Sequence, residues 1–118
     1  MPKQRHITYE PNGGSNQSWT LSPVPNGNGS YFLVNSSSNL CAEDNGGSYA
    51  AGAVVDQWTC VDNSTNEQWN ITPLPSGGSV ITNVRSGLLL TTASKNNLSP
   101  LTQQPNINSE LQHWTVEG

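Results

Sequence analysis

The chain repeats itself. Laying Trp19 over Trp69, an offset of 50, matches WTLSPVPNG (Trp19–Gly27) to WNITPLPSG (Trp69–Gly77) without a gap. Trp, both Pro and Gly are identical, and Leu/Ile, Ser/Thr and Val/Leu stand between them. A third Trp, Trp114, closes LQHWTV about 45 residues beyond Trp69, and the preceding segments NQSW, NEQW and LQHW agree as well. Upstream, GSYFLVNSSSNLC (Gly29–Cys41) aligns with GSVITNVRSGLLL (Gly78–Leu90) if one gap is allowed. Repeats therefore end near Trp19, Trp69 and Trp114, and divide the chain into 1–27, 28–77 and 78–118. A unit of this length cannot bury its apolar face alone, so three must pack about a common axis in one domain of residues 1–118.

Composition narrows what those units are. Of 118 residues, 32% are apolar and only 10% charged, with a net charge of -4. Disorder usually pairs low hydrophobicity with high net charge, which is absent here, and four Trp argue for a packed interior. Leu, Ala, Glu, Lys and Arg are too sparse for long amphipathic helices. No apolar run approaches the roughly 20 residues of a membrane span. The four basic residues, Lys3, Arg5, Arg85 and Lys95, form no patch, which disfavours nucleic acid as a partner. The acids cluster instead: Glu43, Asp44, Asp56, Asp62 and Glu67 fall in one central segment. They read either as a solvated, solubilising face or as carboxylates that accept hydrogen bonds from a ligand's hydroxyls.

Each full repeat reads as four short strands rich in β-branched and aromatic residues, punctuated by Gly, Asn, Ser and Pro. In the middle repeat these are expected at Tyr31–Val34, Leu40–Glu43, Val54–Thr59 and Gln68–Thr72. The first repeat is short. Its residues supply two strands, His6–Glu10 and Trp19–Ser22, which read as the last two of the four, so ten strands are expected where threefold closure wants twelve. A chain cut from a longer one, a gap filled by another chain, or an open barrel edge would each account for this. An open edge would invite self-association.

At this point the sequence resembles the ricin B-type lectins, also called carbohydrate-binding module family 13. Three repeats closing on Gln-x-Trp carry the resemblance, as Gln17–Trp19 and Gln112–Trp114, with Glu67–Trp69 departing at its first position. The agreement is closest in LCAEDNGGSYAAGAVVDQWTCVDNSTNEQW, Leu40 to Trp69. The resemblance implies an all-β fold, the β-trefoil, with Trp19, Trp69 and Trp114 in its core. It also implies sugar binding through an acid two residues after the first Cys, an aromatic in the third strand and an Asn before the closing motif. Carried over, these are Glu43, Trp58 and Asn66, with Asp56 two before the Trp. The family usually has Asp where this chain has Glu43, and Asp44 would substitute if the loop turned differently. Glu67 completes the set of candidate carbohydrate-binding residues. Strand alternation places Asp56 and Trp58 on one face, which suits a pyranose stacked on the indole with its hydroxyls on the acid. The third repeat offers Thr91, Gln103 and Leu111 at the corresponding positions, and the first retains only Asn16 and Tyr9, so one pocket is expected. Galactose-type sugars or xylan-like chains are the ligands the resemblance implies.

Cys41 and Cys60 lie 19 apart. By themselves they could be free buried thiols; the resemblance implies a disulfide between them and, with it, a secreted protein. Sequons at Asn16, Asn28, Asn35, Asn63, Asn70 and Asn97 support secretion only weakly in so Asn- and Ser-rich a chain. No CxxC, HExxH, GxSxG or phosphate-cradling loop is present, and neither His6 nor His113 lies near the cysteines, so no metal and no cofactor are expected. A glycosidase would need two carboxyls held about 5–9.5 Å apart and one of them desolvated. Glu43 and Asp56 could approach that separation, but a shallow pocket is expected to leave both solvated, and a non-catalytic protein is the reading. The competing readings are a carbohydrate-binding module from a secreted glycoside hydrolase, a trefoil protease inhibitor acting through exposed loops, and a trefoil that serves only in assembly.

Overall fold

The computed structural model describes residues 5–9, 19–25, 29–35, 38–94 and 100–117, with the backbone alone for 5–9 and 117. Ten short strands follow the expected punctuation: β1 (Arg5–Tyr9), β2 (Trp19–Pro23), β3 (Tyr31–Asn35), β4 (Cys41–Asp44), β5 (Val54–Trp58), β6 (Trp69–Pro73), β7 (Ser79–Asn83), β8 (Leu89–Thr92), β9 (Leu101–Gln104) and β10 (Trp114–Glu117). Pro23 and Pro73 end β2 and β6, where a missing N–H costs no ladder bond. Short 3₁₀ turns, Asn45–Gly47, Thr65–Glu67 and Glu110–Gln112, are the only helical segments among the described residues.

Pairing runs β1–β2, β2–β3, β3–β6, β6–β7, β7–β10 and β10–β1, all antiparallel. That circuit is a closed six-stranded barrel, so of the alternatives the short first repeat allowed, an open barrel edge is not the one found among the described residues. The register shows why. Trp19 of β2 stands opposite Asn35, Trp69 of β6 opposite Asn83, and Trp114 of β10 opposite Tyr9. So β1 occupies the place that β3 and β7 occupy in the other repeats: it is the first strand of its repeat, not the third. The chain ends supply the final seam, because β1 needs a partner for its outer edge and β10 has the matching one. What the first repeat lacks among the described residues is the capping hairpin. The other two repeats insert β4–β5 and β8–β9 there, and these hairpins pair with each other through Val54–Thr102 and Val55–Leu101.

Trp19, Leu21, Leu33, Ala42, Val55, Trp69, Ile81, Leu90 and Trp114 form the core. The closure tryptophans are sealed, as expected, with exposures of 2%, 0% and 0%. Their indole N–H groups differ. Trp69 Nε1 donates to Ala42 O at 3.1 Å and Trp114 Nε1 to Leu90 O at 3.0 Å, so each bonds the cap strand of its own repeat. Trp19 Nε1 is buried with no partner, and no cap strand of its repeat is found among the described residues.

Cys41 and Cys60 form a disulfide, with Cα atoms 5.2 Å apart, tying β4 to the chain beyond β5. A loop of this size stabilises the fold by about 3 kcal/mol in the chain-entropy account. Asn35, one of the sequons, is buried and accepts from Ser38 N at 3.0 Å, so it is a structural turn residue. Gln17, Asn16, Asn28, Asn97, Lys3 and Lys95 lie outside the described residues, as do the side chains of Arg5, His6 and Tyr9. No helix among the described residues is long and apolar enough to cross a membrane.

Candidate functional site

The β4–β5 hairpin positions the acidic residues. Its register sets Cys41 opposite Trp58, Glu43 opposite Asp56 and Asp44 opposite Val55. Alternation along β4 then separates neighbouring acids. Ala42 and Asp44 point into the protein, both fully buried, and Glu43 between them faces outward and is half-buried. Directly opposed residues in an antiparallel pair bring their Cβ atoms to about 5 Å, so the Glu43 and Asp56 carboxyls face each other across the hairpin. Beside them Trp58 is 61% exposed, an unusual state for an indole unless it has something to receive.

The remaining partners come from the loops. Asn66, in the turn before Trp69, donates through Nδ2 to Glu43 Oε2 at 3.3 Å and to Asp44 O at 3.2 Å. Asn83 Nδ2 in turn donates to Asn66 O at 3.0 Å, which fixes that turn on the barrel. Asn45 Nδ2 donates to Asp56 Oδ2 at 2.9 Å, whereas Asp56 Oδ1 has no partner. The structure thus brings together Glu43, Asp56, Trp58 and Asn66, and adds Asn45.

Burial raises the Glu43 pKa to about 7, helped by the hydrogen bond and negative charge of Asp56 and by the charge of Glu67, against a lowering from Asn66. The expectation that a shallow face leaves its acids fully solvated is therefore corrected. Packing of the hairpin against the 61–67 loop removes water from one side of Glu43, and its opposed partner is another acid rather than a cation.

Two predicted residues do not join the face. Asp44 is fully buried, and neither of its carboxylate oxygens makes a hydrogen bond of good geometry. Burial raises its pKa, and the nearby charge of Arg85 and the Ser48 N–H offset this in part. The pleat of β4 decides it: a one-residue step from Glu43 turns the next side chain inward. Glu67 is 1% exposed, with Oε1 accepting from Val61 N at 2.7 Å and Oε2 unpartnered. Burial raises its pKa too. It holds the 61–67 loop from beneath, through the bond from Val61 N.

The third repeat shows the same positions filled in. Gln103, expected in the place of Trp58, instead takes that of Gln57, since Leu90 and Ala42 both accept the indole bond of their repeat and face Gln103 and Gln57. Half-buried Gln104 is the counterpart of Trp58, and Gln103 is fully buried, donating to Ser48 O at 2.9 Å and Ala50 O at 3.0 Å. Thr91 is buried and bonds Leu89 O at 2.9 Å. Gln112, in the place of Glu67, donates to Pro105 O at 2.8 Å and accepts from Ile107 N at 3.1 Å. Among the described residues no cluster of His, Cys, Asp and Glu is arranged to hold a metal ion. A cleft of about 580 Å³ lined by Tyr31, Ile71, Pro73, Ser79 and Val116 lies elsewhere and includes none of the predicted site residues.

Sequence reasoning passed over Asn45 and Arg85. An Asn before two glycines reads as turn chemistry, and Arg85 comes from another repeat, so neither carried a local signal.

A six-stranded barrel closed by Trp-terminated repeats and capped by hairpins is a β-trefoil. The family model described as ricin-type beta-trefoil lectin domain-like matches residues 15–104, and the chain belongs to that family. Among solved structures, the designed threefold-symmetric protein ThreeFoil superposes with a TM-score of 0.80 at 22% identity, covering 98% of each chain. An exo-beta-1,3-galactanase from Clostridium thermocellum gives a TM-score of 0.81 at 20% identity, covering 98% of this chain and 30% of the enzyme. The Polyporus squamosus lectin, solved bound to the epitope Neu5Aca2-6Galb1-4GlcNAc, gives 0.73 at 16% identity, over 96% of this chain and 48% of the lectin. At these identities the likeness concerns the fold. No curated protein matches the sequence.

Proposed function

We propose that the chain is a non-catalytic carbohydrate-binding domain with one site, formed by Glu43, Asp56, Trp58 and Asn66 in the middle repeat. The observation that carries this is the exposed Trp58 indole beside an opposed carboxylate pair. A pyranose stacks its C–H face on the indole while its hydroxyls donate to Glu43 and Asp56 and accept from the Asn66 amide. Family membership supports carbohydrate as the ligand class, with galactose-type sugars or xylan-like chains as the first to test. Membership of a family described as lectin domain-like favours binding over hydrolysis. A shallow face of this kind holds a single sugar at about millimolar Kd, roughly 4 kcal/mol, and gains by linkage to further copies or modules. The Cys41–Cys60 disulfide supports an oxidising, extracellular setting.

The experiment is a glycan and polysaccharide panel read by binding, repeated with Trp58→Ala. Being exposed, Trp58 can be removed with little loss of stability, so the variant should fold and lose sugar binding at least tenfold. Folded protein that binds no glycan, or a variant that binds as well as the parent, overturns the reading.

A further inference from the structure

Arg85 lies in the turn between β7 and β8 of the third repeat, yet it reaches into the loop after β4 of the middle one. Its Nε donates to Gly47 O at 2.7 Å, and its guanidinium carbon sits 4.9 Å from the centre of the Tyr49 ring, within cation–π range. Gly47 is the point of close approach. A Cβ there would meet Arg85 Nε at 2.7 Å, and the φ of +69° already disfavours a side chain. The arginine is therefore held in place rather than free to sweep the surface.

Both partners remain open to solvent: Tyr49 is 66% exposed, and Arg85 is exposed as well. A guanidinium has five N–H donors, and the bond to Gly47 uses one. Among the described residues no ion pair or further side-chain hydrogen bond occupies the Nη nitrogens. Asp44 feels the charge of Arg85 but is sealed and forms no ion pair with it.

This fork adjoins the sugar face. Asn45, which holds Asp56 Oδ2, and Gly47, which holds Arg85, belong to one 3₁₀ turn. Asn45 and Gly47 are two residues apart, at most about 7.6 Å between Cα atoms, so with the side chains added Asp56 and the guanidinium stand on the order of 10 Å apart. That is the reach of a neighbouring sugar unit. Through water at such a distance, repulsion of an anion by each carboxylate is below RT, whereas a planar fork on a carboxylate makes two charge-assisted bonds.

Resting on the glycan-binding reading of the Glu43–Trp58 face, we infer that Arg85, steadied by Gly47 and Tyr49, forms a second subsite. It takes the carboxylate of an acidic sugar, a uronate or a sialate, next to the pyranose on Trp58. The competing role for Arg85 is a strap that fastens the 45–49 loop and offsets Asp44, and that role predicts no preference among glycans.

Calorimetric titration of the full chain separates the two. The probes are lactose against 6′-sialyllactose, and xylotriose against its glucuronate-branched counterpart. In at least one pair the acidic member should bind roughly tenfold tighter, and added salt should narrow the gap. The pair that shows it identifies sialate or uronate as the source. Arg85→Gln should abolish the preference and leave the neutral sugar within about twofold. Arg85→Lys, which keeps a charge over Asp44 but lacks the fork, should retain the melting temperature and lose most of the preference. Neutral binding without an acidic preference overturns this inference and leaves the sugar site standing. Equal loss of neutral and acidic binding in Arg85→Gln assigns the residue to the strap role. Absence of any binding to either series removes both readings together.

Discussion

Replacing the three closure tryptophans one at a time by phenylalanine tests whether the cap strands, and not the barrel alone, anchor this core. All three indoles are at least 98% buried by their exposures of 2%, 0% and 0%, so the lost contact area and the cavity left behind are similar at each site. The hydrogen bond is what differs. At Trp69 the change removes the indole donor to Ala42 O, and at Trp114 the donor to Leu90 O, both carbonyls being in buried cap strands. Leaving a buried polar group unsatisfied costs about 1–3 kcal/mol. At Trp19 the change deletes an N–H that already lacks a partner, so this penalty is absent. Trp69→Phe and Trp114→Phe should therefore each be less stable than Trp19→Phe by about 1–3 kcal/mol. At about 4 °C per kcal/mol for a domain of this size, the melting temperatures should separate by roughly 4–12 °C. Thermal and urea unfolding of the three variants, followed by tryptophan fluorescence and far-ultraviolet circular dichroism, measures it. Equal losses at all three positions would refute the reasoning, since they would mean that the indole bonds to the caps contribute nothing net.

Three further outcomes follow from the acids and the cysteines. Glu67→Gln should raise stability at pH 7 by about 1 kcal/mol, because it removes a buried unpartnered oxygen and supplies the amide that Gln112 uses in the third repeat; a lower melting temperature would count against it. Glu43, Asp44 and Glu67 all have folded pKa values above their ordinary ones, Glu43 at about 7. The folded state thus binds more protons than the unfolded one between about pH 4 and 7. Stability should fall as pH rises through that window, and a melting temperature that climbs from pH 5 to pH 7.5 would contradict the assignment. Removing both cysteines, Cys41→Ser with Cys60→Ser, should cost about 3 kcal/mol in denaturant titrations, and a loss below about 1 kcal/mol would show that the hairpin is held by its other contacts.

Strand positions and the core tryptophans were legible because they depend on neighbours in sequence. A β-branched run between turn residues reads as a strand wherever it lies, and β3, β5 and β6 fall within a residue of the expected bounds. The pairing of Asp56 with Trp58 on one face was legible for the same reason, as a period of two. Less could be said of Asp44 and Glu67, which share their composition and neighbourhood with Glu43. Only the register of β4 against β5, and the folding of the 61–67 loop over Glu67, turn one acid outward and two inward.

From its residues alone, this chain reads as tryptophan-closed β repeats about a shared axis, since a single repeat of this length cannot bury its own indole. Tertiary structure decided how the short first repeat closes. The seam of β1 with β10 joins the two ends of the chain, a contact with no local signature, and it makes the barrel complete. Tertiary structure likewise laid Arg85 of one repeat against Gly47 and Tyr49 of another. Short-range chemistry specifies which pieces form, but the electrostatics around Glu43 and Asp44 arise between pieces, where distance in space and not in sequence sets the energy.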